Sequence, residues 1–372
     1  MALNSTLALP ALAQTIMPFK GPPTKAELLI EEDRVWSMSE DADRTIRRKD
    51  AILDAPEVNA YLQSLMDKLY PEFNGAIRVR AIDDPQVNAF CLANGSVYIH
   101  LGMLARLGNE TQLATVLAHE GAHFVHRHGY QNMQSAHTNS GFAVGATILL
   151  GGIGALLGGL GGASSAAGFS RDLEREADRI GFERLALAGY DVREAPKVFE
   201  TLGKVAKIED KSAFFLFASH PKLQERVESY QELLAKATPA DKPAIDEAKF
   251  AHLIVPLRET WLTRELGSAR YKQVIFWLTQ SDAAKDWPKH FQYYLGEAYR
   301  LRNEDKDAPL LLTAYRDAIA SAPDYAPSYR ALGMALHKKL DPEAAPTLQK
   351  YLALAPHAND RLFVQQLLEP RK

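Results

Sequence analysis

The stretch LATVLAHEGAHFVHRHGY, residues 113–130, decides both the fold and the chemistry of this chain. It holds four histidines and one glutamate in a run whose first half is otherwise apolar. A helix turns about 100° per residue, so His119 and His123 aim their imidazoles at one point. The spacing H-E-x-x-H is typical of a zinc site in which the intervening Glu120 acts as a general base beside the metal.

A catalytic zinc site needs a third protein ligand and an open position for water. A third histidine ten positions after His119 is ruled out, because Gly129 stands there. His126 lies one further turn along the helix, and His128 points to the side opposite His119. We therefore expect surface or supporting roles for both of these histidines.

A better third ligand lies downstream, in SRDLEREAD at residues 170–178. Helical spacing puts Glu174 and Asp178 on one face and turns Glu176 away from it. Glu174 would complete a His₂Glu zinc site, and Asp178 could accept the second ring N–H of a ligating histidine. Taken without the histidine pair, these carboxylates would be read as a solvated charged face.

The residues around this stretch predict helices and a small sheet. A change from helical to alternating periodicity marks the strands, and Asn94-Gly95 is a hairpin signal. Asn109 is expected to cap the histidine-bearing helix, with Gln112 completing a capping box. The predicted segments are helices at 24–49 and 56–71, a strand at 76–82, a hairpin at 87–100 and a helix at about 110–128.

The sequence pattern of the C-terminal third differs from that of the rest of the chain. Residues 238–249 are rich in proline and charge at their start and predict a linker. Residues 250–372 read as helix pairs that follow, with imperfect spacing, the tetratricopeptide pattern L-G-x-x-Y…A…P. The alternative is an ordinary helical bundle.

Residues 141–169 contain ten glycines and no charged residue. One membrane crossing needs about 20 apolar residues, but it would put His123 and Glu174 on opposite sides of the bilayer. Two crossings need about 40 residues and do not fit. We therefore expect a hairpin that returns to its own side, where it gates or plugs the cleft and makes peripheral contact with a membrane.

The amino-acid composition limits which other classes of protein and of site this chain can belong to. The 372 residues are 47% hydrophobic, enough for a substantial core, and a net charge of −3 argues against nucleic-acid binding. Cys91 is the single cysteine, so neither an intrachain disulfide nor a cysteine-rich structural zinc site is expected. Residues 1–13 read as a remnant of a secretory signal peptide, because they are apolar and end in A-L-A; a disordered tail is the alternative.

Three motifs in order, HEGAH, SRDLEREADRIG and SHPKLQERV, resemble the gluzincin metallopeptidases of the HtpX, Oma and BepA type, relatives of the type I CAAX prenyl proteases. The strongest resemblance is to the periplasmic BepA-like members, which also carry C-terminal tetratricopeptide repeats. It implies an α+β fold: a mostly helical minigluzincin domain with a small β-sheet at 24–237, followed by an all-α tetratricopeptide-like solenoid at 250–372.

The resemblance also implies roles for individual residues. It gives one Zn²⁺ per chain on His119, His123 and Glu174, with Glu120 as general base and Asp178 supporting a ligand. His220 of the H-P motif would approach the zinc and block or assist catalysis; Arg226 matches the family pattern without an assigned role. Asn88, Ala89 and Phe90 resemble the edge strand on which these enzymes lay substrate, where backbone pairing would allow broad sequence tolerance.

Two functional hypotheses follow. The first is a periplasmic zinc endopeptidase, associated with the membrane through 141–169, that cleaves misfolded or stalled proteins and uses its helical repeats to dock a protein partner. The second is a chaperone or adaptor whose zinc site is shut by His220. An adaptor has no need of Glu120, so the sequence favours the first hypothesis.

Overall fold

A computed structural model of the chain describes residues 16–139, 169–206, 208, 223–237, 245–280 and 287–369. The predicted signal remnant at 1–13, the apolar segment up to residue 168 and His220 lie outside these residues. Within the described parts, no helix is both long and apolar enough to cross a membrane.

The first part of the chain is mostly helical around a three-stranded sheet. Its strands are β1 Arg78–Ile82, β2 Ala89–Cys91 and β3 Ser96–His100. Its helices are α1 Ile30–Arg48, α2 Pro56–Leu69, α3 Leu101–Arg106, α4 Glu110–Val125, α5 His128–Asn139, α6 Arg171–Leu187, α7 Ala195–Ala206 and α8 Leu223–Lys236, with 3₁₀ turns at Lys25–Glu27, Pro71–Phe73 and Val192–Glu194. The predicted combination of helices with a small sheet is confirmed.

The sheet has the strand order β1-β3-β2. β1 pairs with β3 in parallel, and β2 pairs with β3 antiparallel. The β2–β3 hairpin turns at the predicted Asn94-Gly95, where Gly95 has a φ of +78° that favours glycine. β2 therefore lies at one edge of the sheet.

α4 is the central element, because all 16 of its residues are buried. A helix that is apolar on most of its faces must be covered on all sides, and α4 packs against α2, α6, α7 and β2. The predicted cap is present: the Asn109 side chain accepts a hydrogen bond from the Gln112 amide at 2.9 Å. The Gln112 side chain, however, accepts from the Gly108 amide instead of closing a capping box.

Glycines let two neighbours approach α4 closely. A Cβ on Gly181 of α6 would lie 3.1 Å from the backbone nitrogen of His119, so the two helices touch at the histidine pair. Gly121 lies against the Tyr70 ring, where a Cβ would come within 2.3 Å of Cε2. The glycine inside the H-E-x-x-H motif thus leaves room for the end of α2.

The last part of the chain is all helical. Its helices are α9 Glu247–Ile254, α10 Leu257–Gly267, α11 Tyr271–Gln280, α12 Gln292–Arg302, α13 Asp307–Ser321, α14 Ala326–Lys338, α15 Ala344–Leu354 and α16 Arg361–Leu367, with a 3₁₀ turn at Lys289–Phe291. α9 begins inside the predicted linker, and Phe250 and Trp261 belong to the same apolar core as α2 and α4. The division into domains at 238–249 stays a prediction.

Candidate metal centre

The histidine pair meets as its spacing predicts. His119 and His123 lie on consecutive turns of α4 with their Nε2 atoms 3.0 Å apart. Their rings are nearly perpendicular, at 84°, and both side chains are buried. The Phe169 ring stacks on His123 with 4.0 Å between centroids, which restricts the rotation of that imidazole.

α6 brings Glu174 to the same point. Its Oε2 lies 3.5 Å from His119 Nε2, and its Oε1 lies 3.6 Å from His123 Nε2. Ligands at 2.0–2.1 Å around a tetrahedral zinc are about 3.3 Å from one another. The three donor atoms therefore fit a zinc-sized ion, and a tetrahedral ion held by them would keep a fourth position for water or substrate.

Asp178 orients the first histidine. Its Oδ1 lies 3.0 Å from His119 Nδ1, on the side of the ring away from His123. A proton held on Nδ1 by this carboxylate puts the lone pair of the ring on Nε2, the atom that faces His123 and Glu174. The predicted pairing of Glu174 and Asp178 on one face of a helix agrees with the structure.

Arg226 supplies the positive charge of this cluster, a role that the sequence left open. Its Nη2 lies 2.6 Å from Asp178 Oδ1, and its Nη1 lies 3.6 Å from Glu174 Oε2. The guanidinium is buried and stacks over the Phe199 ring at 4.3 Å. It ties α8 to α6 and compensates one of the two buried carboxylates.

The surroundings set the protonation of these groups. Burial and the Arg226 charge act to lower the pKa of His119, but hydrogen bonds to Asp178 and Glu174 outweigh them and raise it to about 9. Burial also opposes the charge of Arg226, yet its carboxylate neighbours raise its pKa above the ordinary value. Both shifts reflect an excess of buried carboxylate, which is the charge balance that a divalent cation completes.

Glu120 follows His119 directly on α4, which packs against the edge strand β2. It is buried, and after burial its charge is the next cause that raises the pKa of the Cys91 thiol on β2. Burial raises the pKa of Tyr70 at the end of α2, and the Glu120 charge adds a little to that rise. The carboxylate is therefore close enough to the edge strand and to the end of α2 to act on them electrostatically.

The edge strand carries the predicted substrate residues. Asn88 O accepts from the His100 amide, and the Leu92 amide donates to Ser96 O, so alternation turns the main-chain groups of Ala89 outward. Phe90 points inward and packs on Tyr98. The buried side-chain amide of Asn88 has no hydrogen-bond partner among the residues that the structure describes.

The structure differs from the sequence prediction at the end of α4. The helix stops at Val125 and not near residue 128, because Arg127 adopts a φ of +60°. His128, expected on the opposite side, turns back: its ring is fully buried, with Nδ1 2.9 Å from His123 Nδ1. Glu176 faces away from Glu174 as predicted, but it contacts both His126 and His128.

The predicted site residues therefore fall into three sets. His119, His123, Glu174 and Asp178 come together, with Glu120 on the same helix. Asn88, Ala89 and Phe90 lie on the sheet edge, and His220 lies outside the described residues. The contacts of Arg226 and the grouping of His126, His128 and Glu176 are findings that no local pattern of the sequence indicates.

Comparison with known proteins supports this reading of the site. The model of Peptidase family M48 matches residues 53–234. A beta-barrel assembly-enhancing protease of Yersinia pestis is 26% identical, over 65% of this chain and 52% of its own length. A beta-barrel assembly-enhancing protease of Escherichia coli O157:H7 is 30% identical, over 50% of this chain and 40% of its own length. The mitochondrial metalloendopeptidase OMA1 of Arabidopsis thaliana is 36% identical, over 43% of this chain and 31% of its own length.

The chain spans 31–52% of the length of these three relatives. The matched region contains α2 to α7 and all but the last two residues of α8, and with them both ligand-bearing helices and the edge strand. Motifs, geometry and comparison agree on one assignment. Residues 53–234 of this chain form a metallopeptidase domain of the M48 type, similar to that of the beta-barrel assembly-enhancing proteases.

Proposed function

We propose that this chain is a zinc-dependent endopeptidase of the bacterial cell envelope, located in the periplasm, that hydrolyses peptide bonds of misfolded or stalled proteins. The observation that carries the proposal is the buried cluster of His119, His123 and Glu174 with Glu120 on the same helix. Two of the relatives are named beta-barrel assembly-enhancing proteases, which supports a role in the quality control of envelope proteins.

The residues divide the work as follows. Zinc held by His119, His123 and Glu174 would act as the Lewis acid that activates water and polarises the scissile carbonyl. The Glu120 carboxylate takes the proton of the attacking water and delivers it to the leaving nitrogen. Asp178 keeps the His119 proton on Nδ1 throughout, because its carboxylate lies 3.0 Å from that atom.

The edge strand β2 supports an extended substrate. Main-chain groups of Ala89 point outward, where a peptide could add as a further strand. We propose that the buried side-chain amide of Asn88, which has no hydrogen-bond partner among the described residues, bonds the substrate backbone. Because such pairing reads the backbone and not the side chains, broad sequence tolerance follows.

The C-terminal helices support a docking role as tetratricopeptide-like repeats. Gly296 of α12 lies against Tyr315 of α13, and Gly333 of α14 lies against Leu348 of α15, so a close contact recurs in successive helix pairs. Between them lies a groove of about 970 Å³ whose lining includes Arg300. We propose that this groove holds an unfolded segment of the substrate protein.

Replacing Glu120 by glutamine tests the peptidase assignment. General acid–base groups contribute about 10²–10⁴-fold to rate, so we expect E120Q to retain zinc and to digest an unfolded casein-type protein at least about 100-fold more slowly. The exposed Glu183 on α6 offers a matched control, and E183Q should digest at the wild-type rate.

The same assay separates the two hypotheses. Digestion by E120Q at the wild-type rate would show that Glu120 is not the base. A wild-type chain that binds zinc but does not digest the unfolded protein would favour the chaperone or adaptor in which His220 shuts the site. Removal of zinc with a chelator should abolish digestion, and added zinc should restore it.

A further inference from the structure

A second group of metal-binding side chains lies beside the first. On a continuous helix, His126 and His128 would point about 200° apart. The chain instead turns at Arg127, whose Nε donates to Glu32 Oε1 at 2.7 Å. The turn brings both imidazoles to Glu176 on α6, on the far side of His123 from Glu174.

The geometry of this group resembles that of the first. His126 Nδ1 lies 2.9 Å from Glu176 Oε1, and His128 Nε2 lies 3.3 Å from Glu176 Oε2. All three donor atoms lie within 4.8 Å of one another. His128 is fully buried, but the side chains of His126 and Glu176 are 13% and 37% exposed, which leaves an entrance from solvent.

We propose that His126, His128 and Glu176 form a second site for a divalent transition-metal ion such as Zn²⁺. Two imidazoles and a carboxylate are the ligand set of zinc enzymes and suit the later first-row divalent metals. Partial exposure makes this site weaker than the buried one, because ligands in contact with water are less constrained. The inference rests on the proposed function only in its consequence for proteolysis.

A proton couples the two sites. His123 Nδ1 and His128 Nδ1 face each other at 2.9 Å, a distance that accommodates one N–H and one lone pair. A neutral imidazole that binds a metal through Nε2 carries its proton on Nδ1. If both histidines bound metal through Nε2, two protons would face each other, so each bound ion disfavours the other.

The two loaded states differ in tautomer. With metal on His123 Nε2, His123 donates through Nδ1 to His128, and His128 donates through Nε2 to Glu176. With metal on His128 Nε2, the His128 Nδ1 proton points at His123, whose own proton then moves to Nε2 and blocks the first site. An excess of zinc should therefore inhibit the peptidase.

Zinc binding at equilibrium tests the proposal. Wild-type protein is dialysed against rising free Zn²⁺ and bound zinc is measured by elemental analysis; we expect one tight and one weaker equivalent. H126A and, as a second variant, E176Q should lose only the weaker equivalent. H119A should lose the tight equivalent. Its remaining equivalent, at the second site, should bind at least about fivefold more tightly than the second equivalent of the wild type, since coupling between two binding sites typically changes affinity by about fivefold or more.

The outcomes are decisive in both directions. A single equivalent in the wild type up to millimolar zinc, or two equivalents in both H126A and E176Q, overturns the second site. An unchanged affinity in H119A overturns the coupling. Digestion assays test the consequence for proteolysis: excess zinc should inhibit digestion by the wild type but not by H126A. If no variant and no wild-type protein digests the substrate, the proposed peptidase function is refuted, and the number of bound zinc equivalents alone decides whether the second site exists.

Discussion

Replacing Gly121 by alanine tests whether the position of α4 depends on its contact with Tyr70. The added Cβ would lie 2.3, 2.8 and 2.9 Å from three atoms of the Tyr70 ring. Carbon atoms pack at about 3.5 Å or more, so the ring would have to move by about 1.2 Å. It is held in place, because its hydroxyl donates to the Ala118 carbonyl and the Arg184 guanidinium lies over its face.

Three terms set the expected change in the free energy of opening of α4. Alanine stabilises a helix by about 1 kcal/mol relative to glycine. Overpacking a filled site costs about 1–3 kcal/mol, and displacing the Tyr70 hydroxyl from Ala118 costs about 1–3 kcal/mol, since both partners are buried. The net expectation for G121A is a destabilisation of about 1–5 kcal/mol.

Hydrogen exchange of the α4 backbone amides measures this change directly. Gly203 on α7 offers a matched control, because no described atom of a neighbouring element lies within 4 Å of the place that its Cβ would take. G203A should therefore stabilise its own helix by up to about 1 kcal/mol. In a Y70A background the obstacle is gone, and G121A should become stabilising. Equal destabilisation by G121A with and without the Tyr70 ring would refute the steric reasoning.

Two further predictions concern the C-terminal helices. Glu265 on α10 is buried, with its Oε1 3.4 Å from Arg106 Nη2 and its Oε2 2.7 Å from Arg270 Nε, so E265Q should cost about 3–5 kcal/mol and lower the thermal midpoint by on the order of 10 °C. An R106M/E265L double variant removes both members of the fully buried pair and leaves the partly exposed Arg270 to be solvated, so its midpoint should return toward that of the wild type. Equal midpoints for E265Q and wild type would contradict this. If the groove beside Arg300 docks substrate, R300A should raise KM for an unfolded protein and not for a short peptide. R316A, outside the groove, serves as the control and should leave both KM values unchanged. An equal effect of R300A on both substrates would argue against docking.

Local sequence pattern predicted much of the site because local geometry decides it. His119 and His123 are brought together by helical periodicity alone, and so are Glu174 and Asp178 on α6. Asn109 caps α4, and Gly95 turns the hairpin, through contacts within a few residues. The meeting of α4 with α6 needed support from a family resemblance, since no local rule fixes how two distant helices pack. The roles predicted for His220 and for the substrate strand rested on that resemblance as well.

The end of α4 was not predictable, because a distant contact sets it. The left-handed backbone at Arg127 is stabilised by its bonds to Glu32, 95 positions upstream, and to the Met17 carbonyl. Helical periodicity continued through this point would place His128 opposite His119. One non-local ion pair therefore decides whether a buried histidine contacts His123 or solvent.

Arg226 was equally hidden, for a different reason. An arginine in an amphipathic helix is usually solvated, and the pattern of α8 gives no sign that this one is buried. Its burial follows from the two carboxylates that α6 turns toward α4, because neither could remain charged there without a positive partner or a cation. The charge of one helix thus fixes the orientation of another.

The alternation along α6 explains why two metal-binding groups can share one pair of helices. Glu174 and Asp178 face one side of α6 and Glu176 the other, so the two sides of α6 meet different histidines from the same segment of α4 and the turn after it. His123 and His128 stand between the two groups and touch through Nδ1. Any side chain that holds His128 in one tautomer therefore also selects the tautomer of His123, and Glu176 takes part in setting the metal affinity of a site that it does not contact.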